Sequence, residues 1–478
     1  VNNDIEEISS SSLFPSIEVQ KLMEQYLDAA LRDVQTDMRN ERVESEFDAK
    51  KFANELSRFD FSRQIGLKEL LPWVIDRMRD GNVQITHPRY FGLPNPVPAF
   101  PSLLAERIVA AFNLQLYSTK ASTAAAALEA HMITQIAYRI GFGQSSAGYF
   151  TNGGGEANFT ALICALTSAC PAFRDHGAAA LQVPPAIYVS KDAHNAWLTI
   201  AHQAGIGRLA VRIINTDGHG RLSAAGLRRA VETDIDNGVM PVMVVGTAGT
   251  MVAGMIDPLR ECAGIAERAA AWFHVDATCT GAAIASDNAR TALAGIEMAD
   301  SVTIDAQNWF ATTMSCGMFI SRKSCILDNA FGPGAPFTPS GTSIEPSYVN
   351  SVLWSRRFLG LRLFMNLATV GWRGYAQHAN QTATTLNVLR RNLEFAGWTT
   401  VNRGALGVLC VVPPEGFRSV PTIVDEIAYS GRSWVSAAIY EGVEVVRICI
   451  TNGNTEMQDI EALTRLLNFC GQPMGAHQ

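Results

Sequence analysis

The sequence predicts an α/β protein, with a mostly parallel, helix-covered sheet followed by a smaller C-terminal α+β lobe. Three observations carry this. Short apolar runs at 186–189, 211–214, 242–246, 272–275, 301–304 and 317–320 are partly β-branched and mostly apolar on both faces, as strands buried between helical layers are. Helical patterns alternate with these runs from about 102 to 345. Beyond them the pattern changes: 346–390 reads as helical, candidate strands fall at 407–412 and 444–450, and a last helix falls near 455–469.

Ahead of the sheet, residues 1–16 read as frayed, ending in a serine run and Phe14-Pro15-Ser16. Over 17–80 the chain reads as amphipathic helices, with Val19, Leu22, Met23, Tyr26 and Leu27 recurring at three- and four-residue spacing. His87-Pro88-Arg89-Tyr90-Phe91-Gly92 then leads into a proline-rich loop through Pro101, where closely spaced prolines exclude a helix. The expected division is a helical N-terminal segment (1–95), a large domain (96–345) and a small C-terminal domain (346–478).

The 478 residues are 47% hydrophobic and 17% charged, a globular composition with ample core. A net charge of −7 argues against a nucleic-acid or anionic-membrane partner, which would call for a basic face. No apolar stretch reaches the roughly twenty residues of a membrane span. The cysteines form no C-x-x-C pair, and Cys164, Cys410 and Cys449 sit in apolar runs, as buried reduced thiols do. With no secretory pattern at the N-terminus, the expectation is a reducing, cytoplasmic setting.

Three segments carry the chemistry. Thr151-Asn152-Gly153-Gly154-Gly155-Glu156-Ala157-Asn158 puts three glycines before a helical pattern. Backbone N–H groups there can approach an anion at the positive end of a helix, although such a loop alone is weak evidence and also reads as a plain tight turn. His274-Val275-Asp276-Ala277-Thr278 ends a strand in a carboxylate, at the edge where open α/β sheets bind ligands; a helix-capping aspartate is the alternative. Asp305-Ala306-Gln307-Asn308-Trp309 follows the next strand.

In this order the segments resemble the pyridoxal-phosphate (PLP) dependent group II amino-acid decarboxylases, from about His87 to Phe364 and more loosely to the end. The resemblance implies the type I (aspartate aminotransferase-like) fold, with a mostly parallel seven-stranded sheet, and a homodimer. It places Gly154 and Gly155 at the phosphate, Asp276 on the pyridine nitrogen, His194 against the ring face, Thr247 beside the cofactor, and Asp305 and Gln307 near the phosphate. Thr278 stands where the family usually has alanine under the ring, and Gln307 where it usually has histidine.

Asn308 stands where the family has the lysine that holds PLP as a Schiff base, and an amide cannot form that bond. Three readings follow: a trapped variant of a working decarboxylase, which the intact surroundings favour; a homologue that has lost catalysis; and an enzyme that binds PLP non-covalently and uses another base. Counted forward from Asn308, Phe337 falls on the family's lid tyrosine. A phenyl ring has no proton to give, and relatives with phenylalanine there make an aldehyde by oxidative deamination. An ordinary apolar lid contact is the even alternative. Arg357, in Ser355-Arg356-Arg357-Phe358, either reaches the substrate carboxylate or is a helix-surface arginine. His87, Tyr90, Phe91 and Phe100 suggest an aromatic or bulky apolar amino-acid substrate.

Overall fold

The computed structural model describes residues 13–94, 97–116, 121–332, 351–353, 355–404 and 407–473, so Phe337 lies outside the described residues. The chain divides into two compact units. The first comprises Val1–Gly92, Gly416–Val435 and Asn454–Gln478; the second comprises Leu93–Glu415 and Ser436–Gly453.

In the first unit, helices span Ile17–Asp37, Ala49–Leu56 and Leu67–Asp80. Ser16 and Asp48 cap the first two by accepting backbone N–H bonds, which satisfies donors that a helix start leaves open. Asp459, fully buried, ties the unit's distant segments together by accepting from both Arg39 (2.9 Å) and Arg89 (3.0 Å). Tyr90 stacks on Trp434 at 5.3 Å and Phe91 is fully buried. These aromatics are therefore packing residues, contrary to their expected place in a substrate pocket.

The second unit holds a seven-stranded sheet of order β1-β7-β6-β5-β4-β2-β3. Its strands are β1 (Ala147–Thr151), β2 (Pro185–Ser190), β3 (Val211–Ile214), β4 (Met240–Thr247), β5 (Trp272–Ala277), β6 (Ser301–Asp305) and β7 (Gly317–Ser321). Only β7 runs against the others, pairing antiparallel with β1 and β6. The central strands β5, β6 and β7 are buried along their whole length, which is why they read as continuous apolar runs. Apolar clusters on the two faces of the sheet centre on Ile136, Val244 and Leu363, and on Leu162, Trp197 and Val245.

A four-stranded antiparallel sheet, β8 (Thr399–Thr400), β9 (Val408–Val412), β10 (Ser436–Tyr440) and β11 (Val443–Cys449), has the order β10-β11-β9-β8. The sequence reading located two of these four strands.

Two expectations are corrected. A helix starts at Phe100, with Pro101 in its first turn, where a missing N–H costs nothing and the fixed φ is already helical. Within the helix expected over 346–390, the described residues 351–353 and 355–359 are not helical, and the helix Gly360–Phe395 breaks at Gly371 (φ 63°).

Candidate active site

The site grows from the C-terminal ends of the parallel strands. β1 ends at Thr151, β4 at Thr247 and β6 at Asp305, while Asp276 lies opposite Thr247 and Thr303 in the ladder of β5. β7 meets this edge at Gly317, which pairs with both Thr151 and Asp305. A Cβ on Gly317 would lie 2.6 Å from the Gly153 carbonyl carbon, so glycine there lets the loop after β1 close over the edge.

That loop turns through Gly153 at φ 145°, a region open to glycine. Glu156 holds it by accepting from the backbone and side-chain nitrogens of Asn152, both at 2.9 Å. The helix Gly154–Ala169 starts there, so its free N–H groups and positive dipole end face the strand edge. A Cβ on Gly155 would meet nothing within 4 Å, whereas one on Gly154 would lie 2.7 Å from Thr278 Oγ1.

A cavity of about 230 Å3 opens at this edge. Gly154, Gly155, His194, Thr247, Asp276, Thr278, Asp305, Gln307 and Asn308 all line it, so the segments read from the sequence converge on one place. Sequence reasoning missed Asn158, Met251 and Cys279, which also line it. Asn158 had a signal: it sits four residues after Gly154, one helical turn on, and so shares its face.

Asp276 is almost fully buried and well supplied with donors. Its Oδ1 accepts from the Thr278 N–H (3.1 Å) and hydroxyl (2.5 Å), and its Oδ2 accepts from Asn158 Nδ2 (2.8 Å). Asp305 takes the Gly154 N–H (3.3 Å) and Gln307 N–H (3.4 Å); burial nevertheless raises its pKa to about 6, opposed by those two bonds. Asp257, behind the cavity, accepts from the N–H groups of Thr247 (2.8 Å) and Leu222 (2.7 Å), and burial raises it to about 7.

His194 is exposed on the cavity rim and its Nδ1 accepts from the Ala196 N–H at 3.0 Å, which puts the ring proton on Nε2. Gln307 Oε1 accepts from the Ser315 N–H at 2.6 Å. Asn308 Nδ2 donates to the Thr278 carbonyl at 2.8 Å. Arg357 pairs with Glu106 and is half exposed, while Arg356 forms a buried pair with Glu129 at 2.5 Å.

These residues fit a protonated pyridine that carries a phosphate. A buried, hydrogen-bonded carboxylate stands ready for a ring N–H, and a glycine-lined helix N-terminus with open space at Gly155 stands ready for an anion.

Comparisons with known proteins agree. The chain is 26% identical over 435 residues to tryptophan decarboxylase 2 of Oryza sativa subsp. japonica, covering 84% of this chain and 87% of that protein. It is 24% identical over 407 residues to the aromatic-L-amino-acid decarboxylase of Bacillus atrophaeus, covering 82% and 83%. Its fold matches the crystal structure of mouse CSAD in apo form with a TM-score of 0.89 at 22% identity, over 96% of this chain and 100% of that one. Residues 76–398 match the family model described as the pyridoxal-dependent decarboxylase conserved domain, and with more than half of its length matched the chain belongs to the pyridoxal-dependent decarboxylase family, whose cofactor is pyridoxal phosphate.

Proposed function

We propose that this chain is a PLP-dependent amino-acid decarboxylase held without turnover by Asn308. The carrying observation is that nine positions expected from the sequence to serve the cofactor line one cavity, Asn308 among them; we read Asn308 as standing in the slot of the cofactor-bearing lysine. Bound there, the cofactor supplies an electron sink that lets an α-carboxylate leave as CO2.

The chain's own residues do the rest. Asp276 would accept the ring N–H, His194 and Thr278 would flank the ring, and the loop at Gly154 and Gly155 would meet the phosphate at the helix N-terminus, with Thr247, Asp305 and Gln307 around it. Asn308 neither bonds covalently to the aldehyde nor delivers a proton, so the cofactor is held by non-covalent contacts alone.

Met251, Cys279, Leu93 and Pro94 give the cavity apolar walls, and no Lys or Arg lines it among the described residues. This supports a substrate with an apolar or aromatic side chain, in line with the tryptophan and aromatic-amino-acid relatives. A homodimer is also part of the reading. The helix Phe100–Phe112 exposes Phe100 (69%), Leu104 (37%), Ile108 (41%) and Phe112 (72%) along one face, a stripe suited to cover by a second copy.

The test is Asn308→Lys. After PLP loading and borohydride reduction, mass spectrometry should find cofactor covalently attached to residue 308 in this variant only, and CO2 should be released from an aromatic amino acid. The ratio of amine to aldehyde and hydrogen peroxide then decides the product, which is where Phe337 enters. A lysine form that binds PLP and processes no amino acid would make the chain a non-catalytic PLP binder.

A further inference from the structure

Behind Asp276 runs a line of polar groups buried inside the fold. Trp272, His274 and Asp276 alternate along β5 and therefore point to one face of the sheet. Ser301 lies opposite His274 in the β6 register, and Asn158 comes from the helix that covers this face. The distances form a chain: Trp272 Nε1 to Ser301 Oγ 2.8 Å, Ser301 Oγ to His274 Nδ1 2.8 Å, His274 Nε2 to Asn158 Oδ1 3.0 Å, and Asn158 Nδ2 to Asp276 Oδ2 2.8 Å. Thr303 Oγ1 also lies 3.4 Å from His274 Nε2. Trp197 packs edge-on against the imidazole at 5.8 Å.

The direction of every bond follows from its two ends. An indole N–H only donates and a carboxylate only accepts. Asn158 must therefore turn its amide nitrogen to Asp276 and its oxygen to His274. His274 Nε2 must carry hydrogen to meet that oxygen. Burial lowers the His274 pKa to about 4, against the opposing charge of Asp276, so the ring is neutral and Nδ1 is bare. Ser301 then gives its hydroxyl hydrogen to Nδ1 and accepts from Trp272.

We propose that Trp272, Ser301, His274 and Asn158 form a one-way hydrogen-bond relay that holds Asp276 as an oriented carboxylate for the cofactor's ring nitrogen, with His274 fixed as the Nε2–H tautomer. The assignment of Asp276 to that nitrogen rests on the function proposed above; the direction of the relay does not. Trp272, Ser301 and His274 are positioning residues, since they act through Asn158 and Asp276, while Asn158 also lines the cavity.

The first measurement is a long-range 1H–15N correlation spectrum of the full chain labelled at histidine, without cofactor, with His274 assigned by loss of its signals in His274→Gln. The expected result is a protonated Nε2 and a bare Nδ1, unchanged between about pH 6 and pH 8. A protonated Nδ1, or a ring that gains a proton in that range, overturns the relay. The second measurement is binding of pyridoxamine 5′-phosphate, which has the ring nitrogen and phosphate and needs no covalent bond.

Asn158→Leu should weaken that binding about tenfold, because Asp276 loses the donor that holds its Oδ2 in position for the ring nitrogen, and should leave inorganic phosphate binding unchanged. His274→Gln, whose amide can still donate to Asn158, should retain most of the affinity. Equal affinity in Asn158→Leu and the parent chain overturns the relay. A parent chain that binds no pyridoxamine 5′-phosphate defeats the cofactor assignment instead, and the tautomer still decides the relay.

Discussion

Asn308 Nδ2 donates to the main-chain oxygen of Thr278 at 2.8 Å, so Asn308 is engaged with the loop that follows Asp276. A partly buried bond of this type contributes about 1 kcal/mol. Asn308→Ala should lower the unfolding free energy of the cofactor-free chain by that amount in denaturant titration. An unchanged midpoint would show that the contact is not made in solution.

Thr278 touches the site from a second side, and this gives a coupled pair. A Cβ on Gly154 would lie 2.7 Å from Thr278 Oγ1 and 2.8 Å from its Cγ2, closer than such atoms normally come. Gly154→Ala should therefore move Thr278 and strain its bond to Asp276, weakening pyridoxamine 5′-phosphate binding about tenfold. Thr278→Ala alone should cost less. In the double variant the clash is gone, so the effects should be non-additive by about 1 kcal/mol or more; additive losses would separate the two residues.

Much of this was legible in the sequence because strand-end chemistry is local. Asp276, Asp305 and Thr247 each end an apolar run, and the glycines before Glu156 mark a helix start. What escaped was set by partners distant in sequence. β1 was missed because Ala147–Thr151 is short and its pairing partner β7 lies over 160 residues on. β10 alternates exposed and half-buried residues and so lacks a continuous apolar run. The roles of Asn158 and His274 depend on a helix crossing the sheet face, and no spacing rule within one segment shows that crossing.

Asp257 and Asp305 make stability and binding depend on pH. Their pKa values are raised by burial to about 7 and about 6, above the usual carboxylate value of about 4. The folded chain therefore binds these protons more tightly than the unfolded one. The resulting stabilisation is complete below about pH 4 and is lost as pH rises through about 6 to 7. Unfolding free energy should fall across that window, and Asp257→Asn should flatten the slope. Ionised Asp305 also repels a phosphate held at Gly154, so Asp305→Asn should bind pyridoxamine 5′-phosphate more tightly than the parent chain. That advantage should grow between about pH 5 and pH 7; a ratio independent of pH would remove Asp305 from the phosphate's surroundings.

The loop after Asn308 is held in a conformation it would not adopt alone. Ala311 (φ 50°) and Ser315 (φ 66°) both occupy the left-handed region, which costs a non-glycine residue about 1 kcal/mol or more. Three side chains of the helix starting at Gly360 hold it there. Arg362, fully buried, donates from Nη1 to the carbonyls of Met314 (2.6 Å) and Ser315 (3.2 Å) and pairs through Nε with Glu106 (2.6 Å). Asn366 Nδ2 donates to the Phe310 carbonyl at 3.0 Å and the Tyr375 hydroxyl to the same oxygen at 2.7 Å. Arg362→Met keeps the length of the side chain and removes these bonds, while Glu106 keeps Arg357 and Thr313 as partners, a loss of about 2 kcal/mol. Amide hydrogens of 310–316 should then exchange faster than the rest of the sheet edge. In the Asn308→Lys background the lysine would sit on a loosened loop, so CO2 release should fall further than pyridoxamine 5′-phosphate affinity does. Ser315→Gly relieves the backbone cost at one position and should recover part of the lost protection. If exchange at 310–316 is the same in Arg362→Met as in the parent chain, the loop holds its shape without the clamp.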